Sequence, residues 1–388
     1  MERGFKFESN PVPYACRDQV FEILLHLTED PNPSPEEDSN SSMDPATNSL
    51  NTTRGTAFHA LISYAIWKKE SLQKLDLYFG EKVDFSDMPE VLAVLEKHLD
   101  LLVDSSTTIR AVYGMQFSNL AFLDHDWAIS NKGRIFQKNE ELKEYWSAAW
   151  GSFIGFNMPK NWLIQDLLSE YQFAVSMAGS PSNQPLWGDN PDERLVEHIV
   201  HYYAWGKIEL NSVILEMFWR KSTQQLREHA INFIGRTVQG VSSEIVNRFK
   251  ELWENRFNAI SKFDNQEPYY AELNAFGWWL ISEQFDNSWC ISQLGKVLKK
   301  TGAVENDHEV LERLVTLACE YPLEIIEITE MMVNGDAMRR GIYLWTNNIK
   351  KIINCVLPIS NEQVQKATKE LINRLAARGY SDFESLIQ

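Results

Sequence analysis

No uninterrupted apolar run in this sequence approaches the roughly 18 residues that a membrane-spanning helix requires, and no basic stretch leads into a hydrophobic core near Met1. Membrane spanning and secretion are therefore unsupported, and a cytoplasmic setting is expected. Cysteine is scarce. Cys16, Cys290, Cys319 and Cys355 are the four present, too widely spaced for a CxxC metal pair and without the spacing of a secreted disulfide domain. Reduced, mostly buried thiols are the expectation. The patterns GxxxxGK[ST], HExxH, GxSxG and GxGxxG are also missing, so a P-loop ATPase, zincin, serine hydrolase or dinucleotide enzyme would need an unrecognised site. No catalytic residue, metal ligand or cofactor is assigned, and the chain reads as non-enzymatic.

Positive charge is in deficit: 37 Lys and Arg face 54 Asp and Glu, a net charge of -17. The average field repels a phosphate backbone or an anionic bilayer. Lys68-Lys69, Lys299-Lys300 and Arg339-Arg340 are short groups that read as solvated helix ends or faces, so nucleic acid is not an expected partner. Apolar material, by contrast, is plentiful. The chain is 44% hydrophobic and carries 13 Trp, 13 Tyr and 20 Phe along its length, enough for a substantial core.

That material is arranged at helical spacing. Val20, Phe21, Leu24, Leu25 and Leu27 form a stripe within a first helix from Arg17 to Thr28, an N-terminal helical segment over 1–28. Residues 29–50 then hold Pro31, Pro33, Pro35 and Pro45 among acidic and hydroxyl side chains, a composition read as a mobile acidic loop. From 51 to 180 an N-terminal helical array follows, with helices starting at Asn51, at Pro89, near Thr107, at Leu142 and at Trp162. A C-terminal array covers 190–388, continuous with the first. Its helices are expected at 192–205, 211–219, 224–236, 243–258, 267–282, 288–298, 308–321, 323–332, 336–354 and 361–378. Helices of 10 to 18 residues separated by short polar turns predict an all-α, irregular HEAT-like or tetratricopeptide-like α-solenoid of stacked antiparallel helix pairs. No strict 34-residue consensus is present.

Few groups suggest chemistry. His198 and His201 lie three apart on one helix with Asp192 and Glu197 nearby, a weak metal-like cluster that reads as an ordinary polar face. His125 beside Asp124 and Asp126 could act as a base, but the acidic pair equally suits a helix cap before Trp127. Glu36, Glu37 and Asp38 read as solvated loop.

Two motifs stand out. Asn51, Thr53, Arg54 and Gly55 form a candidate structural motif in which the Arg54 guanidinium bridges backbone carbonyls or a carboxylate of the adjacent hairpin. Adjacent aromatics that one helix face cannot absorb mark candidate protein-interface residues: Tyr202, Tyr203, Trp205, Tyr269, Tyr270, Trp278, Trp279, Tyr343 and Trp345.

The stretch Asn51-Thr52-Thr53-Arg54-Gly55-Thr56-Ala57 and its helix through Trp67 resembles the helical C-terminal regions of large bacterial proteins with a P-loop signalling ATPase, including STAND-type antiviral defence proteins. Tyr269 to Trp279, with Phe285, Asp286 and Trp289, is similar to a late element of such regions, and Ala230 to Arg236 is a weaker third match. The resemblance implies a sensor-like array that recognises a foreign, viral protein and controls an attached or associated ATPase and effector, neither of which this sequence carries. The expected function is a non-catalytic protein-recognition or scaffolding module with a protein partner. The alternatives are a metal-dependent hydrolase with an unrecognised site and an RNA-associated helical scaffold.

Overall fold

A computed structural model describes residue 5 and residues 12–74, 82–179, 190–336 and 340–386. The described residues contain helices and no strand, so the chain is all-α. It divides into two compact units, 1–198 and 199–388.

Unit 1 opens with α1 (Arg17–Thr28), then α2 (Pro35–Asn40), α3 (Pro45–Asn51) and the long α4 (Thr53–Gln73). The helices α5 (Pro89–Leu99), α6 (Thr107–Met115), α7 (Phe117–Leu123), α8 (His125–Ile135), α9 (Lys143–Phe156) and α10 (Ile164–Met177) follow. Polar caps set several of the starts: Ser106 Oγ accepts the Ile109 amide, and Asp124 accepts the Trp127 amide. Pro89 occupies the first turn of α5, where its missing N–H costs nothing. The core is centred on α6, whose residues from Thr108 to Gly114 are all buried. Its most extensive partner is α9. The two backbones meet where Gly114 lies on Ala149, so close that a Cβ at Gly114 would overlap the Ala149 carbonyl.

Helix α11 (Pro191–Ala204) carries the division between the units. Unit 2 continues with α12 (Val213–Lys221), α13 (Gln224–Thr237), α14 (Ser243–Ile260), α15 (Tyr270–Asn274), α16 (Gly277–Ile281), α17 (Asn287–Thr301) and α18 (Asp307–Leu317). It ends in α19 (Pro322–Gly335), α20 (Arg340–Val356) and α21 (Glu362–Ala377). Here the packing is periodic. α13 lies on α15 and α16, α16 on α18, α17 on α19, α18 on α20 and α19 on α21. Contact with the element two places on is how alternate helices of a solenoid build two layers, each burying an apolar stripe that an isolated pair would leave in water.

Several expectations need correction. Residues 29–50 are not a loop: they hold α2 and α3, with Ala46 and Ser49 completely buried. A Ser34–Glu37 capping box and an Asp44 cap start these two helices, and a proline sits in the first turn of each. The helix expected to run on from Thr107 is interrupted at Gln116, and the one expected over 267–282 breaks at Ala275-Phe276 into α15 and α16. The helix expected from Leu142 is α9, and it runs through Gly151 and Gly155. Cys319 and Cys355 are joined in a disulfide with their Cα atoms 5.8 Å apart, in place of two reduced thiols. Cys290 is buried, and burial pushes its thiol up to about 12.

Candidate recognition groove

The groove is built by fastening α2 and α3 across the start of α6. Asp38, on α2, is the fastener: its carboxylate accepts from Ser106 Oγ, from the Thr108 amide at 3.3 Å, from Thr108 Oγ1 and from Asn48 Nδ2 at 3.0 Å. Asn48 Nδ2 also donates to Thr108 Oγ1 at 2.8 Å. A carboxylate with this many donors is a rigid junction.

A second junction locks the entry to α4. The Arg54 amide donates to Asn32 O at 2.8 Å, and its Nη2 donates to Pro33 O at 2.8 Å and lies 3.4 Å from Asp104 Oδ1. Asp104 also meets His98 Nδ1 at 2.8 Å and accepts the Ser106 amide at 3.1 Å. Burial raises the Asp104 carboxyl, but the His98 hydrogen bond, the Arg54 charge and the Ser106 amide outweigh it and hold the group below the usual carboxylate range. Gly55 closes the motif: a Cβ there would overlap the Ser49 carbonyl. Thr53 donates its amide to Asn32 Oδ1, and Asn51 Nδ2 bonds Thr47 O within α3.

With these junctions in place, α2, α3 and the turn between them form one wall and α9 the other. Between them lies a groove of about 730 Å³. Its lining includes the hydroxyls of Ser39, Ser42, Ser105 and Ser147 and the apolar groups of Met43 and Trp146. Trp146 and Trp150 are near-parallel, 9° apart with centroids 6.2 Å apart, and Phe173 meets Trp146 edge-on at 5.1 Å. Trp146 is only 3% exposed, and its indole Nε1 has no hydrogen-bond partner. A buried donor in that condition leaves a desolvation cost uncompensated. Of the four charged residues on the lining, Asp38, Asp44 and Glu144 are acidic and only Lys143 is basic. The Asp44 carboxylate accepts the Thr47 amide at 3.0 Å, and Tyr145 OH donates to Ser105 O at 3.1 Å.

The aromatics singled out in the sequence do not converge on one surface. Tyr202, Tyr203, Trp279 and Trp345 are buried, Tyr269, Tyr270 and Trp278 are half-buried, and Trp205 and Tyr343 are exposed, Tyr343 by 76%. Trp279 donates its indole N–H to Ile231 O at 2.9 Å, and Tyr203 OH donates to Arg248 O at 2.8 Å. Tyr269 lies under two guanidiniums, those of Arg227 at 4.8 Å and Arg256 at 5.2 Å.

The histidines are also engaged. His198 is buried between Tyr171 OH at 2.8 Å and Asn157 O at 2.9 Å, whereas His201 stacks on Trp205. His125 Nε2 lies 3.1 Å from Asp166, and Asp124 is the α8 cap. Among the described residues, no three His, Cys, Asp or Glu side chains are grouped to hold a metal ion, and no helix is long and apolar enough to cross a membrane.

Trp146 was not singled out by sequence reasoning. The available signal is the run Trp146-Ser147-Ala148-Ala149-Trp150-Gly151-Ser152, in which five small residues surround two indoles and leave space beside the helix. Comparison with protein-family models and with curated proteins returns no match to this chain.

Proposed function

We propose that the protein is a non-catalytic protein-recognition or scaffolding module. The observation that carries this reading is the groove of about 730 Å³ between α9 and the α2–α3 wall. Binding sites are concave and largely apolar, with a few polar groups that orient the ligand. The histidines that could suggest chemistry instead tie elements together: His98 joins Asp104, and His198 joins Tyr171 and Asn157. A target-sensing role in bacterial antiviral defence is the narrower form of the proposal, supported by the resemblance at Asn51 to Ala57 and Tyr269 to Trp289.

Affinity purification of the full chain under gentle conditions, followed by native mass spectrometry, tests the reading. The expected result is a protein partner at fixed stoichiometry whose cross-links map to the described surface. A chain recovered alone, with about one equivalent of bound metal and hydrolytic turnover, contradicts it, as does salt-sensitive retention of RNA.

A further inference from the structure

The bond between Cys319 and Cys355 lies in unit 2, apart from the groove. Cys319 is exposed in the turn between α18 and α19, and Cys355 is half-buried in the last turn of α20. The two are 36 positions apart, so the bond encloses all of α19 and nearly all of α20. We propose that this disulfide is a latch that exchanges with small thiols. Closed, it pins α20 to the α18–α19 turn; opened by reduction, it frees α20 to part from α18.

Access favours exchange. The reaction begins when a thiolate attacks a sulfur it can reach, and Cys319 is the exposed partner. Attack there forms a mixed disulfide on Cys319 and expels the Cys355 sulfur, which takes up a proton. A second small thiol then attacks the small-molecule sulfur of the mixed disulfide and releases Cys319 as a thiol. Two small thiols become one disulfide, and the protein bond gains their two electrons and two protons. Cys290 is a poor competitor, because it is buried and its thiol is pushed up to about 12.

The fold does not depend on the bond. Helix α20 buries Ile342, Trp345, Ile349, Ile352, Ile353 and Val356, an apolar stripe of the kind that docks a helix without a covalent tie. Reduction therefore leaves unit 2 folded and shifts α20 from docked toward open, since a disulfide acts mainly by restricting the chain once its contacts are lost.

Parting of α20 has a defined output. α18 packs on both α16 and α20, and Val310, Leu311, Leu314 and Leu317 are buried along it. The share of this stripe that α20 covers passes from buried to exposed when the latch opens.

Hydrogen–deuterium exchange of the full chain, purified with free thiols blocked, tests the latch in three states: oxidised, treated with reduced glutathione, and reoxidised with glutathione disulfide. Glutathione is expected to open the bond in the folded protein, seen as the mass of two added hydrogens. Exchange in α18 and α20 should then quicken by about thirtyfold or more, the lower end of what a native disulfide contributes. Unit 1 should be unchanged, and glutathione disulfide should restore the slow rate. The double variant Cys319→Ser with Cys355→Ser should keep its helix content and exchange at the reduced rate with or without glutathione. Two cysteines that stay free after glutathione disulfide, a bond that opens only in denaturant, or a bond that opens without altering α18 and α20 would overturn the proposal. So would a wild-type unit 2 that unfolds entirely on reduction. If only the double variant fails to fold, the serines are at fault and the glutathione comparison on wild type decides.

Discussion

The two units solve the same packing problem by different means. In unit 2, each helix from α16 to α19 finds its partner two elements away, and one wholly buried carboxylate, Glu272, ties three helices together. Arg256 of α14 binds it through both Nε and Nη2, and Arg227 of α13 donates to it from Nε at 3.0 Å. In unit 1, the ties run instead between helices and the segment that interrupts them. Asp38 and Asp104 gather donors from α3, α4, α5 and the start of α6. A regular stack fills its own interior, and a pocket of unit 2 lined by Leu298, Gly302, Met332 and Trp345 measures about 390 Å³. An inserted wall pinned by polar junctions leaves a groove of about 730 Å³. The roomier of these two spaces lies beside the irregular segment.

The largest effect should come from breaking the unit 2 junction. Glu272→Gln leaves two buried guanidiniums without a counter-charge and should cost roughly 3 to 5 kcal/mol, read as a lower denaturant midpoint for unit 2 with the transition of unit 1 little changed. Arg54→Ala breaks the corresponding tie in unit 1. The Arg54 side chain is 13% exposed and that of Asp104 only 3%, so the loss should be about 3 kcal/mol. Arg54→Lys should recover only part, because an ammonium cannot reproduce the guanidinium fork. Equal midpoints for R54A and wild type would remove Arg54 from the account.

Gly114→Ala tests the α6–α9 contact. Its methyl must displace the Ala149 backbone, at an expected cost of about 1 to 3 kcal/mol, and the shift of α9 should alter ligand binding in the groove as well. Gly133→Ala on α8 is the control at the small end. Nothing lies within 4 Å of its added Cβ, so the better helix former should stabilise by up to about 1 kcal/mol.

A pH effect separates the units further. Glu228 in unit 2 is pushed up to about 7, first by burial and then by its hydrogen bond and charge repulsion with Glu305. A carboxyl whose folded pKa exceeds its unfolded value, near 4.5, binds more protons when folded. Stability should therefore fall as pH rises from about 4.5 to about 7, then level off. Glu228→Gln should abolish that slope, raising the melting temperature at pH 8 relative to wild type and leaving it little changed at pH 4.

Much of the helical pattern was legible because unit 2 is locally consistent. Thr223 and Ser242 cap α13 and α14, and the ranges 224–236 and 243–258 differ from the observed helices by one or two residues. The break at Ala275-Phe276 was not legible. Beside it Gly277 lies so close to the Glu305 carbonyl that a Cβ would overlap it, a contact distant in sequence. The segment 29–50 misled for a related reason. Its acids and hydroxyls satisfy each other across long separations, as Asp38 does with Thr108, so a composition that suits solvent also suits a polar junction. Adjacent aromatics were a poor guide to surface: Tyr202 and Tyr203 are neighbours on α11 and both are buried. The groove was missed because the space between α9 and the α2–α3 wall is a property of the fold and not of any residue type.

The account depends most directly on α2 and α3 being a fixed wall of the groove, where composition alone predicts a mobile loop that proteases cut first. Hydrogen–deuterium exchange of the full chain, followed at the amides of Asn48 to Asn51, measures this. Ala46 and Ser49 are completely buried and the Asn48 amide donates to Asp44 O at 2.9 Å, so these amides should exchange far more slowly than in an unstructured peptide and accelerate when Asp38→Ala releases the junction. Exchange at the unstructured rate in the wild-type chain, with no response to Asp38→Ala, would contradict the wall and the groove with it.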